Sequence, residues 1–110
     1  MYVRTKKGEI FDCYESEQMH KPIYYPKKSK TNGYIDYEDV YKKSDNIIDI
    51  LEVGDYVNGH KVLDIAQAPK KALYLNDISQ KGALIPVCDY QIKSIVTREM
   101  FESMEYKVGE

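Results

Sequence analysis

The dipeptide Asn58-Gly59 sits between two β-prone runs, "DYV" and "HKVLDI", and no other feature constrains the chain as tightly. A two-residue connection between antiparallel strands takes a type I′ or II′ turn, and type I′ demands positive φ at both centres, which Asn-Gly tolerates best. The spacing predicts a hairpin in which Val57 opposes His60 and Asp55 opposes Val62. On that register one face carries Val57, His60 and Val62; the other carries Tyr56, Lys61, Leu63 and Ile65. Neither face is wholly apolar. Such mixing predicts strong curvature, or a bend at Gly54-Asp55 that breaks the alternation.

The same punctuation recurs along the chain. Tyr2 to Thr5 and Ile10 to Tyr14 read as a hairpin around Lys7-Gly8. Residues 16–33 have no clean period and hold Pro22, Pro26 and Asn32-Gly33, so they read as a long loop with a short extended piece at Ile23 to Tyr25. Tyr34 to Tyr37 alternates like a strand, and "DYEDVYKK" reads as strand through Val40-Tyr41. Ser44 or Asp45 is placed to cap a short helix over about Asp45 to Leu51. Lys70 to Asp77 reads as a strand with Leu73 and Leu75 on one face. "ALIPVCDY" is extended but broken near Pro86, and "IKSIVT" is a strand. Thr97 caps a short helix, "REMFESM", with Glu99 in the first turn and Met100 and Met104 on one face. "EYKV" reads as a last strand. These elements predict one domain spanning 1–110, mainly β (a β-rich α+β fold): a small, strongly bent antiparallel sheet or SH3-like barrel with one or two short helices. The expected core is Val57, Leu63, Ile65, Leu73, Leu75, Ile92, Ile95 and Val96.

Two stretches, "SDNIIDILEVGDYVNGHKVLDI" and "IKSIVTREMFESMEYKV", resemble a widespread family of small phage and prophage proteins from Firmicutes. Its members pair a "DLIEVGDYVNGYKV"-like centre with a "SIVTKEQFESMEYKV"-like tail. The likeness covers about the last two thirds of the chain and leaves out residues 15–33. It implies a phage context and brings no catalytic residues. His60 stands where the family pattern has tyrosine, which argues against an essential histidine.

Charge and motifs narrow the function classes. A net charge of −2 over 110 residues gives no general pull toward nucleic acid or anionic membrane. No apolar run approaches the ~20 residues of a membrane span, and "MYVRTKKG" has no apolar centre of the secretory kind. Cys13 and Cys88 lie far apart in no motif, which predicts free thiols in a reducing, cytoplasmic setting. With His20 and His60 they form no CxxC, HxH or HExxH spacing, so no metal or cofactor is expected. Imidazole can act as base or ligand near neutral pH, yet His60 has no partner motif and reads as part of the sheet wall. Asp36, Glu38 and Asp39 could hold a cation, but they open a run of seven acids ending at Asp55 and read as a solvated face. Phosphate-binding glycine loops and the GxSxG elbow are absent from the sequence. No catalytic residue is therefore assigned, and a non-enzymatic protein is expected.

The segment "HKPIYYPKKSKTNGYIDY" stands out. From His20 to Gly33 it holds four lysines and no acid, with tyrosines alongside. Lysine can neutralise phosphate and a tyrosine ring can stack on a base. The candidate ligand-binding residues are Tyr24, Tyr25, Lys27, Lys28, Lys30 and Tyr34. The expected function is that of a phage accessory protein of anti-defence type, which binds and blocks a host protein or a nucleotide signal in the host cytoplasm. A small nucleic-acid-binding barrel is the alternative. A homodimer would cover exposed sheet edges.

Overall fold

A computed structural model describes residues 1–18, 20–27, 33–76 and 84–104. Within them the protein is mainly β, with two five-stranded antiparallel sheets and one α-helix. Contacts along the chain group into two compact units, Met1–Ile50 and Leu51–Glu110.

The first unit holds β1 (Tyr2–Thr5), β2 (Ile10–Gln18), β3 (Lys21–Pro26), β4 (Ile35–Asp36) and β5 (Val40–Ser44), in the order β4-β3-β2-β1-β5. The hairpin expected around Lys7-Gly8 forms, with Gly8 at φ 89°. The loop expected over 16–33 is corrected where it is described: β2 runs to Gln18 and β3 occupies Lys21–Pro26, around the extended piece expected at Ile23 to Tyr25, while residues 28–32 of that loop lie outside the described residues. Proline signals misled the reading there, and the register says why they are harmless. Lys27 N–H donates to Asp12 O, in a ladder that sets Cys13 opposite Pro26 and Glu17 opposite Pro22. Backbone N–H groups alternate sides along a strand, so both prolines aim their missing donors away from β2. On that far side β4 pairs only with Ile23 and Tyr24.

Val3, Cys13, Tyr24 and Ile35 form the core on one face of this sheet, with Phe11 and Val40 packed against it. Arg4 is buried, and its Nη1 donates to Ile50 O at 3.0 Å. A 3₁₀ turn at Tyr37–Asp39 interrupts the strand expected over that region. The helix expected over Asp45 to Leu51 contracts to a 3₁₀ turn at Ile47–Ile50. Its cap is Asn46, whose Oδ1 accepts Ile48 N–H at 2.9 Å, while Ser44 Oγ accepts Asn46 N–H at 3.1 Å.

The second unit holds β6 (Tyr56–Val57), β7 (His60–Ala66), β8 (Ala72–Asn76), β9 (Leu84–Val87), β10 (Ile95–Val96) and α1 (Arg98–Met104), with strand order β10-β6-β7-β8-β9. The Asn-Gly hairpin follows the predicted register: Val57 opposes His60, and Val62 N–H donates to Asp55 O at 2.8 Å. Asn58 at φ 53° and Gly59 at φ 83° make the turn type I′. Val57, Val62, Leu73, Leu75 and Val87 are buried. Leu63 is not, at 42% exposed. Alternation from buried Val62 turns it to the other face, while a bulge between Val62 and Asp64 changes the face of Ile65: Val62 opposes Leu75 and Ile65 opposes Leu73, so Val62 and Ile65 share a face. Ile65, Ile92, Ile95 and Val96, also expected in the core, are half-buried. Thr97 caps α1 as expected, its Oγ1 accepting Met100 N–H at 3.3 Å. The "EYKV" strand falls outside the described residues.

Each sheet is open, with unjoined outer strands, which corrects the closed SH3-like barrel. Two of these edges are blunted by composition, β5 by Lys42 and Lys43 and β9 by Pro86. Among the described residues no helix is long and apolar enough to cross a membrane.

Candidate ligand-binding cleft

The β1–β2 turn is tightly bonded. Thr5 N–H donates to Glu9 O at 2.8 Å, Gly8 N–H to Thr5 O at 2.9 Å, and Glu9 N–H to Thr5 Oγ1 at 3.1 Å. Lys6 N–H reaches across to Asp39 O at 2.9 Å. The turn is thereby tied to the segment that carries β4 and the 3₁₀ turn after it. Between them lies an open cleft of about 340 Å³ lined by Thr5, Lys6, Lys7, Glu9, Phe11, Tyr34, Ile35 and Asp39. Its lining combines the apolar residues Phe11, Tyr34 and Ile35 with two lysines, Lys6 and Lys7, and two acids, Glu9 and Asp39.

The lysines of this cleft differ from the other described lysines of the first unit. Lys21 lies over the Tyr37 ring at 5.2 Å and Lys42 over Tyr41 at 5.7 Å. Lys27 pairs with Asp12 at 3.4 Å and covers the Tyr14 ring at 4.9 Å. Lys43 donates to Glu15 at 3.0 Å and to Tyr24 Oη at 2.8 Å. Among the described residues the ammonium groups of Lys6 and Lys7 have no such partner. They are exposed cations with no ion-pair partner among the described residues.

The residues picked out by sequence divide accordingly. Tyr34 lines the cleft and is 58% exposed. Tyr25 stands beside it, ring centroids 6.3 Å apart and planes at 52°, as expected if the β3–β4 register of Tyr24 with Ile35 runs on by one pair. Tyr25 also lies directly opposite Tyr14, which is 64% exposed. Tyr14, Tyr25 and Tyr34 therefore form a row across neighbouring strands on the outer face of the sheet. Tyr24 departs from the expectation. It is 1% exposed, so its ring belongs to the core and only its hydroxyl reaches polar partners. Lys27 is engaged with Asp12 and Tyr14, and Lys28 and Lys30 lie outside the described residues. Lys6, Lys7 and Phe11 were missed, because "KKG" reads as turn punctuation and nothing local ties it to Tyr34.

The Tyr24 hydroxyl sits in a three-way contact, donating to Glu15 Oε1 at 3.1 Å while Lys43 donates to both. Hydrogen bonds from Lys43 and then Tyr24 hold Glu15 below its usual range. The bonds to Tyr24 and then Glu15 hold Lys43 above its own. Burial, followed by the neighbouring Asp12 charge, pushes the Cys13 thiol up, so it is a weak nucleophile in the core.

In the second unit the polar residues of the Asn-Gly region are structural. His60 Nδ1 lies 3.0 Å from Asn76 O, so it carries the hydrogen and donates to that carbonyl. Asn58 Oδ1 accepts Lys93 N–H at 2.7 Å and Ser94 N–H at 3.1 Å, fixing the entry to β10. Asp55 leaves the solvated acidic face expected for it. It is 0% exposed, and its two oxygens accept Arg98 N–H at 3.0 Å and Glu52 N–H at 2.7 Å. Among the described residues no three His, Cys, Asp or Glu side chains converge on a point that could hold a metal ion. Comparison with protein-family models, with curated proteins and with solved structures returns no match.

Proposed function

We propose that this chain is a non-enzymatic phage-type accessory protein that acts in the host cytoplasm by capturing a nucleotide-class ligand at the β1–β2 cleft, and so withholds a signal from the host. The observation that carries the reading is the pairing of two uncommitted ammonium groups, Lys6 and Lys7, with the exposed Tyr34 ring in one cleft. A phosphate needs the first and a base or other flat ring uses the second. The turn backbone is already hydrogen-bonded, so less ordering has to accompany binding. The likeness of the central and tail motifs to phage proteins supports the setting. The test is calorimetric titration with nucleoside monophosphates and cyclic mononucleotides, with chromatography of the ligand afterwards. Binding that is lost in Lys6→Ala/Lys7→Ala, with the ligand recovered unchanged, supports the reading. Absence of binding to the whole panel at millimolar ligand refutes nucleotide capture, and a converted ligand refutes the non-enzymatic part.

Single-stranded nucleic acid is a second reading, favoured by one feature: the Tyr14, Tyr25 and Tyr34 row, with Lys27 beside Tyr14. Rings spaced across adjacent strands suit successive stacked bases. A gel shift at low salt that disappears in Tyr14→Ala/Tyr25→Ala and persists in Lys6→Ala/Lys7→Ala would favour it over the cleft.

A further inference from the structure

We infer that the cleft selects a ring-bearing ligand with a single phosphate and rejects di- and triphosphates and strands; this rests on the cleft being a nucleotide site. The first argument is charge balance. Lys6 and Lys7 supply two positive charges, and Glu9 and Asp39 line the same cleft. Asp39 cannot be remote from Lys6, because its carbonyl accepts the Lys6 N–H at 2.9 Å. Glu9 is held against the same turn through Thr5, which bonds both its N–H and its carbonyl. One phosphate, with its charge of up to about −2, is balanced by these two ammonium groups. Each further phosphate adds negative charge in a cleft whose other charged residues, among those described, are Glu9 and Asp39, and like charges at close range repel.

Size points the same way. About 340 Å³ lies at the small end of the ~300–1,000 Å³ typical of ligand pockets. It suits one nucleotide rather than two. The ring wall is also limited to a single shelf: Tyr34, backed by Tyr25 at 6.3 Å, with Phe11 and Ile35 beside it. Carboxylates that repel extra phosphates can accept hydrogen bonds from sugar hydroxyls or from an exocyclic amine. Glu9 and Asp39 are thus useful to a nucleoside monophosphate and hostile to its triphosphate.

Calorimetry in magnesium-free buffer, so that each phosphate keeps its charge, separates the possibilities. The probes are a nucleoside 5′-monophosphate, the matching triphosphate and a short single-stranded oligonucleotide. The wild type is expected to bind the monophosphate at least about tenfold more tightly than either other probe. Glu9→Gln/Asp39→Asn is expected to erase that preference or reverse it. Lys6→Ala/Lys7→Ala is expected to lose all three. All four positions are exposed, so unchanged far-ultraviolet circular dichroism and melting temperature establish that each variant is folded. Equal or tighter triphosphate binding by the wild type overturns the inference and leaves nucleotide capture standing. So does a preference that survives the carboxylate variants. Failure of every probe to bind the wild type overturns both.

Discussion

Replacing Asp55 is the sharpest test of how the second unit holds together. The carboxylate is 0% exposed and accepts two backbone donors from different places, Glu52 N–H at 2.7 Å and Arg98 N–H at 3.0 Å. It thereby joins the bend before β6 to the first turn of α1. A hydrogen bond to an ionised acceptor contributes about 1.5–3 kcal/mol, and a buried donor left unpaired costs about 1–3 kcal/mol. Both bonds are only partly buried, so the lower part of each range applies, and Asp55→Ala should cost about 3 kcal/mol. Asp55→Asn keeps the shape but turns an amide N–H₂ toward one of the two donors. It retains one bond and should cost about 2 kcal/mol. A domain of this size has about 5–15 kcal/mol in total, so Asp55→Ala forfeits a fifth or more of it. Urea unfolding followed by far-ultraviolet circular dichroism reads the loss directly. With a slope of about 1–3 kcal/mol per molar, the midpoint should fall by about 1 M or more. A midpoint within error of the wild type for Asp55→Ala would refute the argument, as would an asparagine variant less stable than the alanine one.

At Gly59 the φ is +83° and an added Cβ would meet nothing within 4 Å, so substitution costs only backbone strain. Gly59→Ala should lose about 1 kcal/mol and Gly59→Val at least as much, while Gly59→Asn loses less; equal melting temperatures would contradict the turn assignment. Leu73→Ala should cost about 2–5 kcal/mol, because Leu73 is 0% exposed, and Leu63→Ala less than about 1 kcal/mol; similar losses in denaturant would contradict the placement of Leu63 on the exposed face. Glu15 is held below its ordinary value of 4.5 by its bonds from Lys43 and Tyr24, so its contribution is present above that value and is lost as pH falls through the lowered one. Lys43 is held above its ordinary 10.5, so its contribution is present below that value and is lost as pH rises through the raised one. Glu15→Gln should flatten the fall in melting temperature below pH 4.5, and an acid limb of unchanged slope would refute the linkage.

How far the sequence could be read depended on whether the deciding interaction was local. Asn58-Gly59 specifies its own turn, since positive φ is a property of those two residues, and the register of β6 and β7 follows from it. Thr97 caps α1 through an oxygen three residues from its donor, so it too is legible. Leu63 and residues 16–33 are not. Which face of β7 is covered is decided by its pairing with β8, where a bulge brings Ile65 and not Leu63 to the side of Val62, and the prolines of β3 are tolerated because of which side of the ladder they face. Asp55 looks like one more acid in an acidic run until Arg98, forty-three residues on, supplies its second donor.

The same distinction explains why, of the described residues picked out in the basic segment, Tyr34 lines the cleft and Lys27 does not. Local density counts lysines, whereas binding needs positive charge that the protein has not already neutralised. Lys27 is neutralised by Asp12, fifteen residues earlier, because the β2–β3 ladder brings them together. Lys43 is met by Glu15 through the β2-β1-β5 order. Lys6 and Lys7 sit at the β1–β2 turn, and among the described residues neither ammonium group has an acid within ion-pair reach. What faces them instead is the chain entering β4, which brings the Tyr34 ring and, through Asp39, one carboxylate at the rim. In this sheet the described lysines alongside the ladders are met by acids or rings and the two at the β1–β2 turn are not, which is why the proposed site is placed at that turn.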